Sequence, residues 1–275
     1  MASRPNCKPG AGFEGNGGWF GWALGTILGM TFLCFGLIFG GLVAYGFQNP
    51  LTGLWENPEF RFALGFTLKT TVLATGAAVL SALPCAYQLA RTDFRGKIIL
   101  ETLLDLPIIL PPLVSGVALL ILCGPLLGAT LTRFGFEVVF SERGVVVAQW
   151  FMAFPFAVKT FRQAFESVDR RYESIARTLG YTPARLFFRV AIPMAGRGLA
   201  NGTALAWART VGEFGATAML AGVTRLKTET LAAAIFLNMS VGELRLAVAI
   251  AVILFLAAMV ILAGFRWGTG RERYE

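Results

Sequence analysis

Twenty-nine consecutive residues, Trp19 to Phe47, carry no charged side chain. A helix rises 1.5 Å per residue and the hydrocarbon core of a bilayer is roughly 30 Å thick, so a run of this length can cross a membrane with residues to spare. It is not alone. Apolar blocks recur at residues 67–90, 98–123, 144–161, 199–221 and 246–265. Six such blocks predict an all-α, polytopic helical membrane protein with about six transmembrane helices. The first block is too long for a removed signal peptide and lacks a clear small-residue cleavage site, so it reads as a retained anchor.

Composition narrows the chemistry. The 275 residues are 56% hydrophobic and 15% charged, whereas soluble domains carry roughly 25% charged residues. There is no histidine, which removes His-based acid–base catalysis and His-ligated metal centres. Cys7, Cys34, Cys85 and Cys123 are scattered without a C-x-x-C spacing, so neither a disulfide framework nor a metal site is expected. No phosphate-cradling G-x-x-x-x-G-K-[ST] loop and no G-x-S-x-G elbow occur. The chain is therefore expected to bind no cofactor, to do no catalysis, and to draw its energy from another subunit or an ion gradient.

The formal charge of +8 has a topological source rather than a nucleic-acid partner. Six spans place residues 1–18, 91–97, 159–189 and the segment after Gly264 on one side, with fifteen Lys and Arg. The segments on the other side, 48–66, 124–142 and 222–245, hold five. Cytoplasmic loops are enriched in these residues, so both termini are predicted cytoplasmic. Residues 1–18, rich in Gly and Pro, read as a flexible lead, 19–47 as a first membrane helix, 62–265 as one membrane domain and 266–275 as a tail.

The loop 164–193 is the most informative segment. Asp169 is a predicted N-cap, Glu173 suits the positive end of the helix dipole, and Gly180 stands where a left-handed terminus is expected. Tyr172, Ile175, Ala176 and Leu179 form one apolar stripe at helical spacing. Thr182-Pro183 then opens a second helix, Ala184 to about Val190, as a cap followed by proline at the first helical position. Two short helices meeting at a glycine corner could dock into a partner. They could equally lie on the bilayer, with Arg170, Arg171, Arg177, Arg185 and Arg189 near lipid phosphates.

This loop resembles the signature loop of ATP-binding-cassette importer permeases: Glu-Ala-Ala, three residues, Gly, nine residues, Ile-x-Leu-Pro. Here it reads Ser174-Ile175-Ala176, Gly180 and Val190-Ala191-Ile192-Pro193, with Ser174 and Ile175 replacing the family's first two residues and Glu173 one place early. The segments 90–97, 105–107 and 110–112 look like the same family's oxyanion branch, and Arg209-Thr210-Val211-Gly212-Glu213-Phe214-Gly215-Ala216-Thr217 looks like the fifth span of molybdate permeases. The resemblance covers roughly residues 62–265. It implies a type I importer architecture and a homodimer with the pathway between its copies. It also implies two ATPase subunits carrying ATP and Mg beneath, which drive alternating access of that pathway, and an extracytoplasmic binding protein that delivers molybdate or tungstate. A sulfate permease is the alternative within the family, and an ion-coupled secondary transporter the alternative outside it. Asp169, Glu173, Ser174, Ala176, Gly180, Thr182 and Pro183 would form the coupling element.

Charges within the apolar blocks are the remaining candidates. Arg209 and Glu213, four apart, would share a helix face and pair. They would line the pathway or its gate, or brace the fifth span structurally. Asp105 follows Glu101 at the start of the third span, ahead of Pro107, Pro111 and Pro112, which predict a bend. That bend would be a pore helix or an interfacial turn. Lys69 is expected to snorkel to the interface. Thr67, Thr70, Thr71 and Thr75 would offer hydroxyls to an anion or to their own backbone. The small residues Gly198, Gly202 and Ala206 predict close helix packing.

Overall fold

A computed structural model of the chain describes residues 18–48 and 53–270; the predicted flexible lead, apart from Gly18, and the last five residues of the tail lie outside them. Helices are α1 (Gly18–Gln48), α2 (Pro58–Arg91), α3 (Lys97–Ile109), α4 (Pro112–Ile121), α5 (Gly128–Arg133) and α6 (Glu142–Glu166). They continue with α7 (Arg170–Thr178), α8 (Pro183–Leu186), α9 (Ile192–Val211), α10 (Gly215–Ala221), α11 (Leu231–Ser240) and α12 (Leu244–Gly270). No strand occurs among the described residues. The chain divides into two units, 1–50 and 51–275. In the first, α1 exposes apolar side chains along its whole length, Trp22, Ile27, Phe32 and Leu37 among them, as a lipid-facing helix would.

In the second unit, α2 begins nine residues before the predicted block. Asn57 caps it by accepting from Glu59 N (2.8 Å) and Phe60 N (3.3 Å), and Pro58 fills the first position, where no N–H is needed. Every fourth residue of its buried stripe is alanine: Ala74, Ala78, Ala82, Ala86 and Ala90. All but Ala74 pack with Ala153, Ala157 and Ala164 of α6 and Ala195 and Ala206 of α9, so three helix backbones approach closely. A Cβ added at Gly198 would lie 2.4 Å from the Ala164 Cβ, and one at Gly202 2.5 Å from Thr160 Oγ1. The predicted small-residue seam is therefore the α6–α9 contact.

Two expected spans are not straight. α3 and α4 meet at 115°, at the Leu110–Pro111 step. Leu110 N still closes the last turn on Leu106 O (2.8 Å), after which two prolines without N–H groups stop the ladder. The predicted bend is there. The fifth block is also broken: α9 starts at Ile192, seven residues earlier than expected, and ends at Val211 before α10 restarts at Gly215. Four described helices are long and apolar enough to cross a bilayer, five if α3 and α4 count as one bent span.

Pro193 does not terminate a helix either. α8 runs through a π-helical turn (Phe187–Ala191) into α9 without leaving helical backbone angles. Widening the turn just upstream accommodates a proline ring that would otherwise strike the carbonyl four residues back. The expected second short helix is thus the first turn of a long one. α12 likewise continues to Gly270, past the predicted start of the tail.

Candidate functional site

The corner after α6 forms as its capping residues dictate. Asp169 accepts from Arg171 N (2.9 Å) and starts α7. Gly180 takes φ +80, which an L side chain resists, and the chain closes α7 with Gly180 N donating to Arg177 O (3.0 Å) and Tyr181 N to Ala176 O (3.1 Å). Thr182 accepts from Arg185 N (3.3 Å) and Pro183 is the first residue of α8. Asp169, Ser174, Gly180, Thr182 and Pro183 all lie exposed at this corner.

Two of the candidates face the other way. The Glu173 side chain is 4% exposed and meets the Arg91 guanidinium at the end of α2 (Nε to Oε1, 2.7 Å). Tyr87 donates its hydroxyl to the second Glu173 oxygen (3.1 Å), and Arg91 Nη2 donates to Val168 O (3.1 Å). Ala176 is buried beside Glu173. The predicted stripe of Tyr172, Ile175, Ala176 and Leu179 therefore splits. Ala176 faces inward, while Tyr172, Ile175 and Leu179 are 53%, 58% and 73% exposed. α7 buries a carboxylate and presents its large apolar side chains outward, flanked by exposed Arg171 and Arg177. Sequence periodicity identified the amphipathic helix but assigned Ala176 to the wrong face, because the Arg91 partner lies 82 residues upstream.

The second group sits at the α9–α10 break. Arg209 and Glu213 pair as expected (2.5 Å), but not along one helix face, because Glu213 lies beyond the end of α9. Its other oxygen accepts from Ala216 N (2.7 Å), so the same side chain caps α10. Glu213 is 1% exposed; the Arg209 guanidinium also lies over the Phe156 ring, 5.9 Å from its centroid. α10 is clamped against α4: a Cβ at Gly116 would lie 2.7 Å from Ala216 Cα, and one at Gly215 2.9 Å from Pro112 Cβ. Gly116 and Gly215 carry a packing role that spacing alone did not mark.

Asp105 is not free to meet a ligand alone; it pairs with Lys159 of α6 (2.7 Å), one turn from the Glu101–Arg162 pair (2.6 Å). Both bridges tie α3 to α6 ahead of the bend. Lys69 pairs with Glu142 (3.0 Å), an exposed bridge rather than a lone snorkelling cation. The α2 threonines are used internally. Thr67 Oγ1 accepts from Leu231 N (2.8 Å), Thr70 and Thr71 donate to their own helix, and Thr75 shares a hydrogen bond with Thr210 (3.1 Å). Among the described residues no group of three or more potential ligands is placed to hold a metal ion.

A sequence model of the binding-protein-dependent transport system inner membrane component matches residues 74–266. The chain is similar to the probable molybdenum ABC transporter permease protein of Haloferax volcanii, 39% identical over 208 residues and 74% of each chain. It also matches the molybdate/tungstate transport system permease protein of Pyrococcus abyssi (33% identical; 79% of this chain, 82% of that one) and the sulfate transport system permease protein of Escherichia coli (33%; 87% and 88%). Its fold matches that of a bacterial ABC transporter importing the acidic polysaccharide alginate, with a TM-score of 0.72 at 16% identity, covering 93% of this chain and 97% of that one.

Proposed function

The chain belongs to the family of binding-protein-dependent transport system inner membrane components, and from that membership we propose that it forms the translocation pathway of an ATP-driven importer for molybdate or tungstate. It is a multi-pass inner-membrane transport component. In this reading two copies enclose the pathway between them, a binding protein delivers the oxyanion from outside, and two ATPase subunits sit against the cytoplasmic face. ATP and Mg belong to those subunits, and this chain supplies no acid, base or nucleophile. Both termini are cytoplasmic, in line with the fifteen-to-five distribution of basic residues.

One observation carries the reading. α7 holds Tyr172, Ile175 and Leu179 out of the protein while anchoring itself through the buried Glu173–Arg91 pair. Exposed apolar side chains on a helix rimmed with arginine fit a protein groove, and the anchor makes the helix a rigid lever on α2. ATP-driven closure of the partner would move α7 and, through Arg91, the end of α2. Asp169, Ser174, Gly180, Thr182 and Pro183 shape the contact; Glu173 and Ala176 transmit it. Arg209, Glu213 and Asp105 act as braces of the pathway helices.

Co-purification tests this. The full chain is expressed with its ATPase and binding protein, and the ATPase is expected to follow it through purification. Deleting residues 170–189 or changing Gly180→Trp is expected to abolish that association while the protein still inserts. An ATPase that remains bound to both variants contradicts the docking role. Affinity of the partner binding protein decides the anion: tighter binding of sulfate than of molybdate would move the chain to the sulfate alternative, the reading that the Escherichia coli relative favours.

A further inference from the structure

Between α2, α3 and α6 lies a cavity of about 340 Å³ that neither the corner nor the broken span uses. Pro84, Cys85 and Leu89 of α2, Leu100 and Leu104 of α3, and Phe154 of α6 form its walls, which are apolar except for Gln88 of α2. Cys85 and Leu100 are exposed, so the cavity reaches the outer surface of the helices. Its depth is fixed by α2. The apolar block that α2 carries ends at residue 90 and the basic residues Arg91, Arg95 and Lys97 follow, so the turns from Pro84 to Leu89 lie at the end of the hydrocarbon layer and the loop after them at headgroup level. An apolar recess there opens to lipid chains rather than to water.

The charges at this end are matched except in one respect. Lys97 pairs with Asp93 (2.9 Å), Lys159 with Asp105, and Arg162 with Glu101 and Glu166. The Asp93 carboxyl is held below its ordinary pKa by the hydrogen bond and charge of Lys97. Arg95 follows Phe94, which also lines the cavity, and has no ionic partner among the described residues. Arg170 forms no salt bridge among these residues, but its charge acts on Asp93 and its guanidinium donates to Ala90 O (3.0 Å), next to the same loop. An apolar slot followed by one unneutralised arginine, Arg95, matches a fatty chain attached to an anion.

We propose that this cavity holds one acyl chain of an anionic phospholipid whose phosphate sits against Arg95. A zwitterionic lipid supplies the same chain but carries its own cation, so it leaves Arg95 no better neutralised. The bound chain would fill the wedge behind α3 and brace it against α2, whose wall residue Leu89 lies two residues from the Arg91 that anchors α7.

The test places the full chain in nanodiscs containing phosphatidylglycerol with a photoactivatable acyl chain and maps the crosslinked residues. Crosslinks are expected within residues 84–104 and should be displaced by unlabelled phosphatidylglycerol but not by phosphatidylcholine. Arg95→Ala, a surface change, is expected to raise the phosphatidylglycerol needed for half-displacement about fivefold, the worth of one basic residue near a charged headgroup. Leu104→Trp fills the cavity and is expected to remove the crosslinks. Equal displacement by phosphatidylcholine, unchanged displacement in the arginine variant, or no crosslinks within 84–104 would each overturn the proposal. The last result is what a protein segment occupying the slot would give.

Discussion

The corner at Asp169–Pro183 and the break at Arg209–Thr217 both use one carboxylate and one arginine, yet to opposite ends. At the corner, Glu173 and Arg91 join two helices that are far apart in sequence, and the helix between the caps is free to show its apolar side chains. At the break, Arg209 and Glu213 are four residues apart, and Glu213 divides itself between its arginine and the first turn of α10. In the proposed reading the first pair anchors a lever and the second fixes a joint. A lever should tolerate change on its outer face and fail when its anchor is cut, whereas a joint should fail wherever its single carboxylate is disturbed.

Cutting the anchor is expected to have the largest effect. Arg91→Ala strands a carboxylate that is almost completely shielded from water, and breaking one side of such a pair costs about 3–5 kcal/mol. Thermal unfolding should drop sharply, and uptake with it. Tyr172→Ser, Ile175→Ser and Leu179→Ser combined should leave unfolding near its original temperature while abolishing ATPase association. Equal loss of stability in both variants would erase the distinction between anchor and docking face.

The joint gives the next largest effect. Arg209→Ala leaves Glu213 buried without its cation, so it should lower transport and stability more than Arg209→Ala combined with Glu213→Ala, by about 1–3 kcal/mol. Glu213→Gln keeps an acceptor for Ala216 N and should fall between them. Comparable damage from the double change would show that capping α10, rather than mutual neutralisation, is what the carboxylate supplies.

The two regions also differ in how far they could be read from the amino-acid order. Caps, a left-handed glycine and a proline at the first helical position act within a few residues, so Asp169, Gly180, Thr182 and Pro183 announced the corner before any fold was known. The direction in which Glu173 points depends on Arg91, and no local pattern encodes that. The break was less legible still. Residues 199–221 carry no charge apart from one pair, and helical spacing joined Arg209 to Glu213 on one face. What interrupts the helix is packing: α10 is pressed against α4 at Gly116 and Gly215, and Glu213 restarts it as a cap. The bend at Leu110–Pro111 sat between these cases, since prolines predicted it but not its 115° angle. The π-turn that carries Pro193 within a long helix was hidden because proline ordinarily ends one.

Smaller effects refine the contrast. Gly180→Val meets no neighbouring atom within 4 Å of the added Cβ, so its cost is conformational, roughly 1–2 kcal/mol for holding φ at +80. It should uncouple ATP hydrolysis from transport while leaving insertion intact; unchanged oxyanion-stimulated turnover would remove Gly180 from the lever. Smallest is a pH effect at a carboxyl that is buried without an ionic partner. Glu229, fully buried in the loop between α10 and α11, accepts from Leu226 N (3.0 Å), while Arg225 is occupied by Glu59. Burial raises its pKa above the usual 4.5. Its neutral form is favoured in the folded loop, so the stability it contributes is fully present below 4.5 and is lost as pH rises through the raised value. Protection of the 222–230 amides from hydrogen exchange should therefore decline over that interval in the native chain and stay level in Glu229→Gln.

The docking role of α7 is tested most directly by site-specific crosslinking. Ile175→Cys, in a chain whose four native cysteines are replaced by serine, is assembled with its ATPase and treated with a short bifunctional thiol reagent. The account predicts a crosslink to an engineered cysteine in the ATPase groove, formed in both resting and ATP-bound complexes, and no labelling of Cys at position 175 by an impermeant reagent applied from outside the cell. Labelling from outside, or a position 175 that never reaches the ATPase, would contradict it.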